Sequence, residues 1–316
     1  VTTDYTTISI LAPEIILVIA ALVVIVGGAF TKARAGWAWF ALLGFCVAGF
    51  ALYRQSAGAI EPADISRRLQ TVSGPLVIDG LSQGIRWLAV VLGSLFLLGT
   101  LPAQRSKLFA ETVGMIVFAF AGLMIVAAAG DLVLLFLGLE LISIPTYVLL
   151  FLGRRDKASA EAAAKYFYLS ILSSALLLYG FSMLYGMAGT TNLVTMRNAL
   201  TTSGHQLSSP LLPLAVPLLL AGFGFKIAAA PFHFYAPDVY QATTNANAGL
   251  LAVVPKIAGV TALTRIFVEA LPTNSDMAWQ IVVVLALVTI LVPSVSALWQ
   301  NGIRRLMAYS SIANSG

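Results

Sequence analysis

Long apolar runs separated by short polar gaps organise this chain. They fall near 11–30, 37–53, 81–101, 109–129, 131–152, 162–188, 210–234, 246–270 and 277–299. Roughly 20 apolar residues carry an α-helix across the hydrocarbon core of a bilayer, so each run predicts a spanning helix. A tenth begins at Ile303 and is cut off at Gly316. The runs are too long for membrane strands and do not alternate. The expected class is an all-α polytopic membrane protein of about ten transmembrane helices, with lipid around it. One segment departs from the pattern. Residues 189–208 are polar, and Leu193, Met196 and Leu200 are spaced for one face of a short surface helix. We expect that segment, with Asn192, Arg197, Asn198 and His205, to lie at the membrane interface.

Composition agrees with this picture. The 316 residues are 59% hydrophobic and 10% charged, with a mean hydropathy of +0.93, where a soluble domain carries about 25% charge. The net charge of +5 does not imply a nucleic-acid partner. The basic residues stand in short loops between apolar runs, where topology alone accounts for them. The single cysteine, Cys46, excludes an intrachain disulfide and a cysteine-based metal or iron–sulfur site. It reads as a small residue facing lipid or core.

The basic residues also predict orientation. The first run follows Asp4 with no basic segment before it and is followed by Lys32 and Arg34. That suits a first spanning helix with its N-terminus outside better than a cleaved signal peptide. The odd-numbered loops then carry Lys32 and Arg34, Arg105 and Lys107, Arg154, Arg155 and Lys157, and Arg304 and Arg305. The outer loops carry Arg54, Arg67, Arg68 and Arg197, so the excess is cytoplasmic.

Four ionisable residues stand inside or at the mouth of apolar runs: Glu140, Lys165, Lys226 and Lys256. A charge at bilayer depth costs roughly 2.5–3.5 kcal/mol on insertion scales, which makes such residues functional candidates. Around Glu140, Ser143 and Tyr147 follow at i+3 and i+7 on the same helical face. Pro145 frees the carbonyl of Leu141 there. Lys226 is read as deep in its run, with Pro231 freeing the carbonyl of Ile227 and His233 on the same face at i+7. A broken helix beside a buried lysine is a recurring design of ion-coupled transporters. Pro255 frees the carbonyl of Leu251 next to Lys256. Lys165 stands about one turn inside its run, and Glu161 at i−4 can simply pair with it. A desolvated lysine whose neighbouring negative charge moves can take and release a proton. The row therefore predicts proton transfer by coupled charges.

These segments resemble the antiporter-like subunits of NADH–quinone oxidoreductase, respiratory complex I, and among them subunit N (mitochondrial subunit 2). The matching strings are Leu-Glu-Leu-Ile-Ser-Ile-Pro-Thr-Tyr at 139–147, Ala-Ala-Lys-Tyr-Phe at 163–167, Gly-Phe-Lys-Ile-Ala-Ala-Ala-Pro-Phe-His at 224–233, Ala-Pro-Asp-Val-Tyr-Gln at 236–241, Val-Pro-Lys at 254–256 and Arg-Arg-Leu-Met-Ala-Tyr-Ser-Ser-Ile at 304–312. Ala-Pro-Glu-Ile at 12–15 resembles the start of that subunit. The resemblance implies roughly fourteen helices with two inverted repeats. It implies three parts: N-terminal transmembrane helices 1–3 over 1–108, a first antiporter-like repeat of helices 4–8 over 109–270, and the incomplete start of a second repeat over 271–316. It also implies that Glu140 pairs with Lys226, that Lys165 and Lys256 link the pair to a hydrated central axis, and that His233 matches a histidine near the break in the seventh helix. The resemblance covers nearly all of the chain and about two-thirds of the family's length, so the rest of the second repeat, with its lysine, is expected to lie outside these residues.

By that resemblance, the chain holds no redox centre. NADH, FMN, iron–sulfur clusters and quinone are expected in partner subunits, and the location is a bacterial plasma membrane or mitochondrial inner membrane. A subunit of a multisubunit cation/proton antiporter shares the same features, and a docking piece that moves no protons is a third reading. One departure stands out. After Gln241 the chain reads Ala-Thr-Thr-Asn-Ala-Asn-Ala where many members have a Gly-Ala-Pro-Thr-Pro type sequence, which puts the conformation before the next helix in question.

Overall fold

In a computed structural model, residues 8–31, 34–57, 74–103, 108–153, 156–202, 211–272 and 276–316 are described. Asp4, Lys32, Arg67, Arg68, Arg105, Lys107, Arg154, Arg155 and His205, all used above, lie outside them, as does the side chain of Arg34. The described residues form twelve α-helices: α1 (Ala12–Phe30), α2 (Arg34–Ala57), α3 (Gly80–Thr100), α4 (Phe109–Ala128), α5 (Leu132–Gly153), α6 (Lys157–Ala188), α7 (Leu193–Thr202), α8 (Leu212–Ile227), α9 (Ala236–Ala242), α10 (Asn245–Thr264), α11 (Asp276–Leu298) and α12 (Ile303–Ala313). Two isolated backbone bridges are the extended pairings among them. Among the described residues, nine helical segments are long and apolar enough to cross a membrane. The chain is a multi-pass membrane protein.

Most helix ends fall within a few residues of the apolar runs, because in lipid the backbone must be satisfied within the segment. Two runs differ. The sixth starts at Lys157, where Asp156 caps it by accepting from the Ser159 N–H at 2.8 Å. The seventh is not one helix: α8 stops at Ile227, and a short 3₁₀ turn, Phe232–Tyr235, leads into α9. The eighth run stays helical through Pro255 and ends in a π-helical turn, Arg265–Ala270. The joint before it is tight. Thr244, in the departure from the family pattern, caps α10 with its Oγ1 3.3 Å from the Asn247 N–H.

The chain divides into two compact units. The first comprises residues 1–129 and 137–152. In it α4 is packed by α1, α3 and α5, and 72% of its spanning window is buried. Lipid tails supply no hydrophobic drive between helices, so small residues that allow close approach carry the packing. Gly122 and Gly138 do this between α4 and α5. A Cβ on Gly122 would lie 2.9 Å from the Gly138 carbonyl oxygen, and one on Gly138 would lie 3.0 Å from the Val126 nitrogen. Phe45 of α2 meets Phe120 of α4 edge to face at 6.0 Å. Cys46, next to Phe45 in the chain, is exposed.

The second unit comprises residues 130–136 and 153–316. Its broadest interface joins α6 and α8, where the Ser173 hydroxyl donates to the Gly222 carbonyl at 2.9 Å. The predicted short amphipathic helix is α7. Leu193, Met196 and Leu200 are its buried face, and Arg197 donates to the Val268 carbonyl at 3.0 Å. By contrast α11 has only 11% of its spanning window buried, leaving a nearly all-round apolar surface.

Candidate functional site

Lys226 occupies the last turn of α8 and is 4% exposed. The helix stops just beyond it because Ala228 takes the left-handed conformation, at φ 58°. The Ala229 N–H donates to the Gly224 carbonyl at 2.7 Å and the Ala228 N–H to the Phe225 carbonyl at 3.0 Å, the paired bonds of a Schellman cap. A left-handed alanine costs roughly 1–2 kcal/mol. Its surroundings hold it in place. The Tyr235 hydroxyl donates to the Phe225 carbonyl at 2.9 Å, and the Ala230 N–H donates to Thr289 Oγ1 of α11 at 3.0 Å. The Tyr235 ring lies 4.5 Å from Phe225 and 5.5 Å from Tyr166 of α6.

This geometry corrects two expectations. The interruption begins at Ala228, ahead of Pro231, whose peptide with Ala230 is cis. Lys226 thus lies deep in its apolar run and buried, but at the end of a helix. Lys226 and His233 also do not share a helical face, because no continuous helix joins them. The end position suits a cation, since the terminal carbonyls of α8 present the negative end of its dipole. Lys226 Nζ lies 3.4 Å from the Ser174 hydroxyl of α6.

Lys256 is the second enclosed ammonium, 9% exposed, on α10. Its Nζ donates to both the carbonyl and the hydroxyl of Ser311 on α12, at 2.6 and 2.8 Å. One turn further along α10, Gly259 seats the break of α8. A Cβ there would meet Ile227 Cγ2 at 2.6 Å and Lys226 Cβ at 3.3 Å. The bare glycine thus brings the two lysine-bearing backbones together, with Lys256 one helical turn from the contact.

Lys165 is placed differently. Its side chain is 46% exposed and pairs with Glu161 at 2.7 Å, the i,i+4 partner expected from spacing. A second carboxylate, Asp238 of α9, lies 3.6 Å away and is itself bound by Arg305 of α12. Because α6 starts earlier than its apolar run, Lys165 lies two turns inside the helix. These groups face an open cleft of about 410 Å³ lined by Asp156, Glu161, Lys165, Asp238 and Gln241. His233 is half-buried. Its ring meets Tyr309 of α12 edge to face at 6.4 Å, and its Nδ1 has no hydrogen-bond partner among the described residues.

Glu140 belongs to the first unit, whereas Lys165, Lys226, His233 and Lys256 belong to the second. It is half-buried in α5, which runs unbroken through Pro145. Ser143, one turn on, is buried and donates to the Leu139 carbonyl at 2.8 Å.

The first unit also holds a charge pair that the sequence reading passed over. Arg86 of α3 and Glu14 of α1 are 0% and 1% exposed. Arg86 Nε and Nη2 donate to the two Glu14 carboxylate oxygens at 2.7 and 2.9 Å. Nη2 also reaches the Ile10 carbonyl at 2.8 Å, and Nη1 reaches Gln55 of α2 at 3.3 Å. Both residues stand inside apolar runs, the same signal that marked Lys226. In the second unit a buried arginine, Arg265, pairs with Glu269 in the π-helical turn. Asp238 and Ser311, which bind two of the lysines, carry no such signal. Among the described residues no group of three or more His, Cys, Asp or Glu is placed to hold a metal ion.

Residues 129–316 match the family described as NADH:quinone oxidoreductase/Mrp antiporter, transmembrane. The chain is 40% identical to NADH-quinone oxidoreductase subunit N of Heliobacterium modesticaldum over 72% of its own length and 46% of the relative's. It is 36% identical to the subunit of the same name from Methylobacterium nodulans, over 96% of this chain and 62% of that one. Its fold is similar to a chain of respiratory complex I from Thermus thermophilus solved with bound aureothin, at a TM-score of 0.74 and 31% identity, covering 96% of this chain and 62% of that one. The chain thus spans about half to three-fifths of the length of these relatives.

Proposed function

The chain belongs to the NADH:quinone oxidoreductase/Mrp antiporter transmembrane family, and from that premise we propose that it is a proton-translocating membrane subunit of an NADH–quinone oxidoreductase. The observation that carries the reading is a pair of ammonium groups, Lys226 and Lys256, each more than nine-tenths buried, on helices that touch at a backbone break. A group that is charged and enclosed is expensive to keep unless its charge is used. In our reading Lys226 exchanges its proton when the negative charge of Glu140 is presented or withdrawn. Lys256 is the next acceptor, and Lys165 collects protons at the polar cleft. His233 serves between the break and α12.

NADH, FMN, iron–sulfur clusters and quinone are assigned to partner subunits, so electron transfer reaches this chain as a change of conformation or field. We place the protein in a bacterial plasma membrane with its N-terminus outside. The orientation rests on the basic-residue count, and two contacts agree with the alternation of spans that it assumes. Asp238 joins Lys165 to Arg305, near two loops that the basic-residue rule puts on one side. Glu14, Gln55 and Arg86 join the start of α1, the end of α2 and the start of α3, as alternating spans require.

The test is proton uptake by vesicles containing the whole assembled complex, driven by NADH. Glu140→Gln and Lys226→Ala should each lower the proton-to-electron ratio while the complex stays assembled. Normal pumping by the double variant would favour the docking reading. Sodium-dependent transport with no NADH oxidation would favour the antiporter subunit.

A further inference from the structure

Lys256 is enclosed by apolar helices, yet among the described residues no carboxylate pairs with it. Both of its polar partners there come from one residue, Ser311. The carbonyl at 2.6 Å and the hydroxyl at 2.8 Å differ in what they can do. A carbonyl only accepts. A hydroxyl accepts from an ammonium N–H and, by rotating its own proton, donates to the lone pair that a neutral amine exposes. The carbonyl accepts from an N–H of either form of the lysine, but of the two only the hydroxyl can also satisfy the lone pair of the neutral amine without moving a helix. In a low-dielectric setting an unmet lone pair or N–H is costly.

We infer that Ser311 is a positioning residue for Lys256, holding its Nζ in one place through both protonation states. The inference rests on the proposed proton role of Lys256 and adds to it a group from the far end of the described chain. Ser311 also has company on its helix. Arg305, Tyr309 and Ser311 of α12 meet Asp238, His233 and Lys256 respectively. One short helix therefore faces three of the polar groups near the broken span. Ser311 is the contact among these that two short hydrogen bonds define.

Threonine and valine differ at this site only in a hydroxyl against a methyl, so the pair isolates the proposed function. Ser311→Thr and Ser311→Val are introduced into the assembled complex, with Lys256→Met as reference. Assembly is read by native electrophoresis, and NADH-driven proton uptake is compared with electron transfer in vesicles. Ser311→Thr should keep pumping near wild type. Ser311→Val should lose about tenfold or more in pumping rate, the scale of one hydrogen bond to a charged group, at equal assembly. If Ser311→Val fails to assemble, Ser311→Ala takes its place with the same expectation. Equal pumping by the threonine and hydroxyl-lacking variants, in a background where Lys256→Met abolishes it, overturns the inference and leaves the role of Lys256 standing. Normal pumping by Lys256→Met overturns that underlying role instead.

Discussion

Glu14→Gln is the sharpest test of the packing described for the first unit. The substitution keeps size and shape but removes the charge that Arg86 faces. Two charge-assisted hydrogen bonds, at 2.7 and 2.9 Å, lose their anionic acceptor. Each such bond is worth about 1.5–3 kcal/mol, and a buried pair broken on one side typically loses about 3–5 kcal/mol. The remaining acceptors, the Ile10 carbonyl and Gln55, are neutral. We therefore expect Glu14→Gln to destabilise the protein by about 3–5 kcal/mol. Replacing both partners should behave differently. In Glu14→Leu/Arg86→Met no charge is left stranded, and the Ile10 carbonyl keeps the Gln55 amide at 3.1 Å. That double variant should lose less than Glu14→Gln alone, within about 1–3 kcal/mol of the parent, the scale of the unpaired polar atoms left behind. The assay is unfolding in mixed detergent, with single and double variants forming a thermodynamic cycle. A single variant within about 1 kcal/mol of the parent, or a double variant equal to the sum of the singles, would refute the reasoning.

Two further outcomes follow from the break in α8. Ala228→Gly removes the left-handed strain at φ 58° and should raise stability by about 1 kcal/mol, read as a higher midpoint of unfolding. Gly259→Leu places a side chain where a Cβ alone would meet Ile227 at 2.6 Å. It should cost about 1–3 kcal/mol and lower proton uptake together with stability, whereas a change in neither would deny the close approach of α8 and α10.

The fold was legible because a spanning helix writes its length directly into hydropathy. Leu193, Met196 and Leu200 likewise announced α7 through their spacing, and Glu161 announced its bond to Lys165. What stayed hidden was set by contacts far apart in sequence or by backbone states that side chains do not advertise. Pro231 signalled a break, but alanine carries no mark of the left-handed state, so the turn at Ala228 and the loss of a shared face between Lys226 and His233 were not visible. Ser311 looks like any small helical residue until α12 lies beside α10. Arg86 and Glu14 were visible as charges in apolar runs. Their mutual neutralisation was not, since 72 residues separate them.

That separation has a meaning during synthesis. At roughly 5–20 residues per second, Glu14 emerges some 4–14 seconds before Arg86 exists to meet it, given the 72 positions between them. Through that interval α1 carries an uncompensated carboxylate into or beside the bilayer. The first helix is therefore not independently at home in lipid. The carboxylate gains its buried partner only once the third helix has been made.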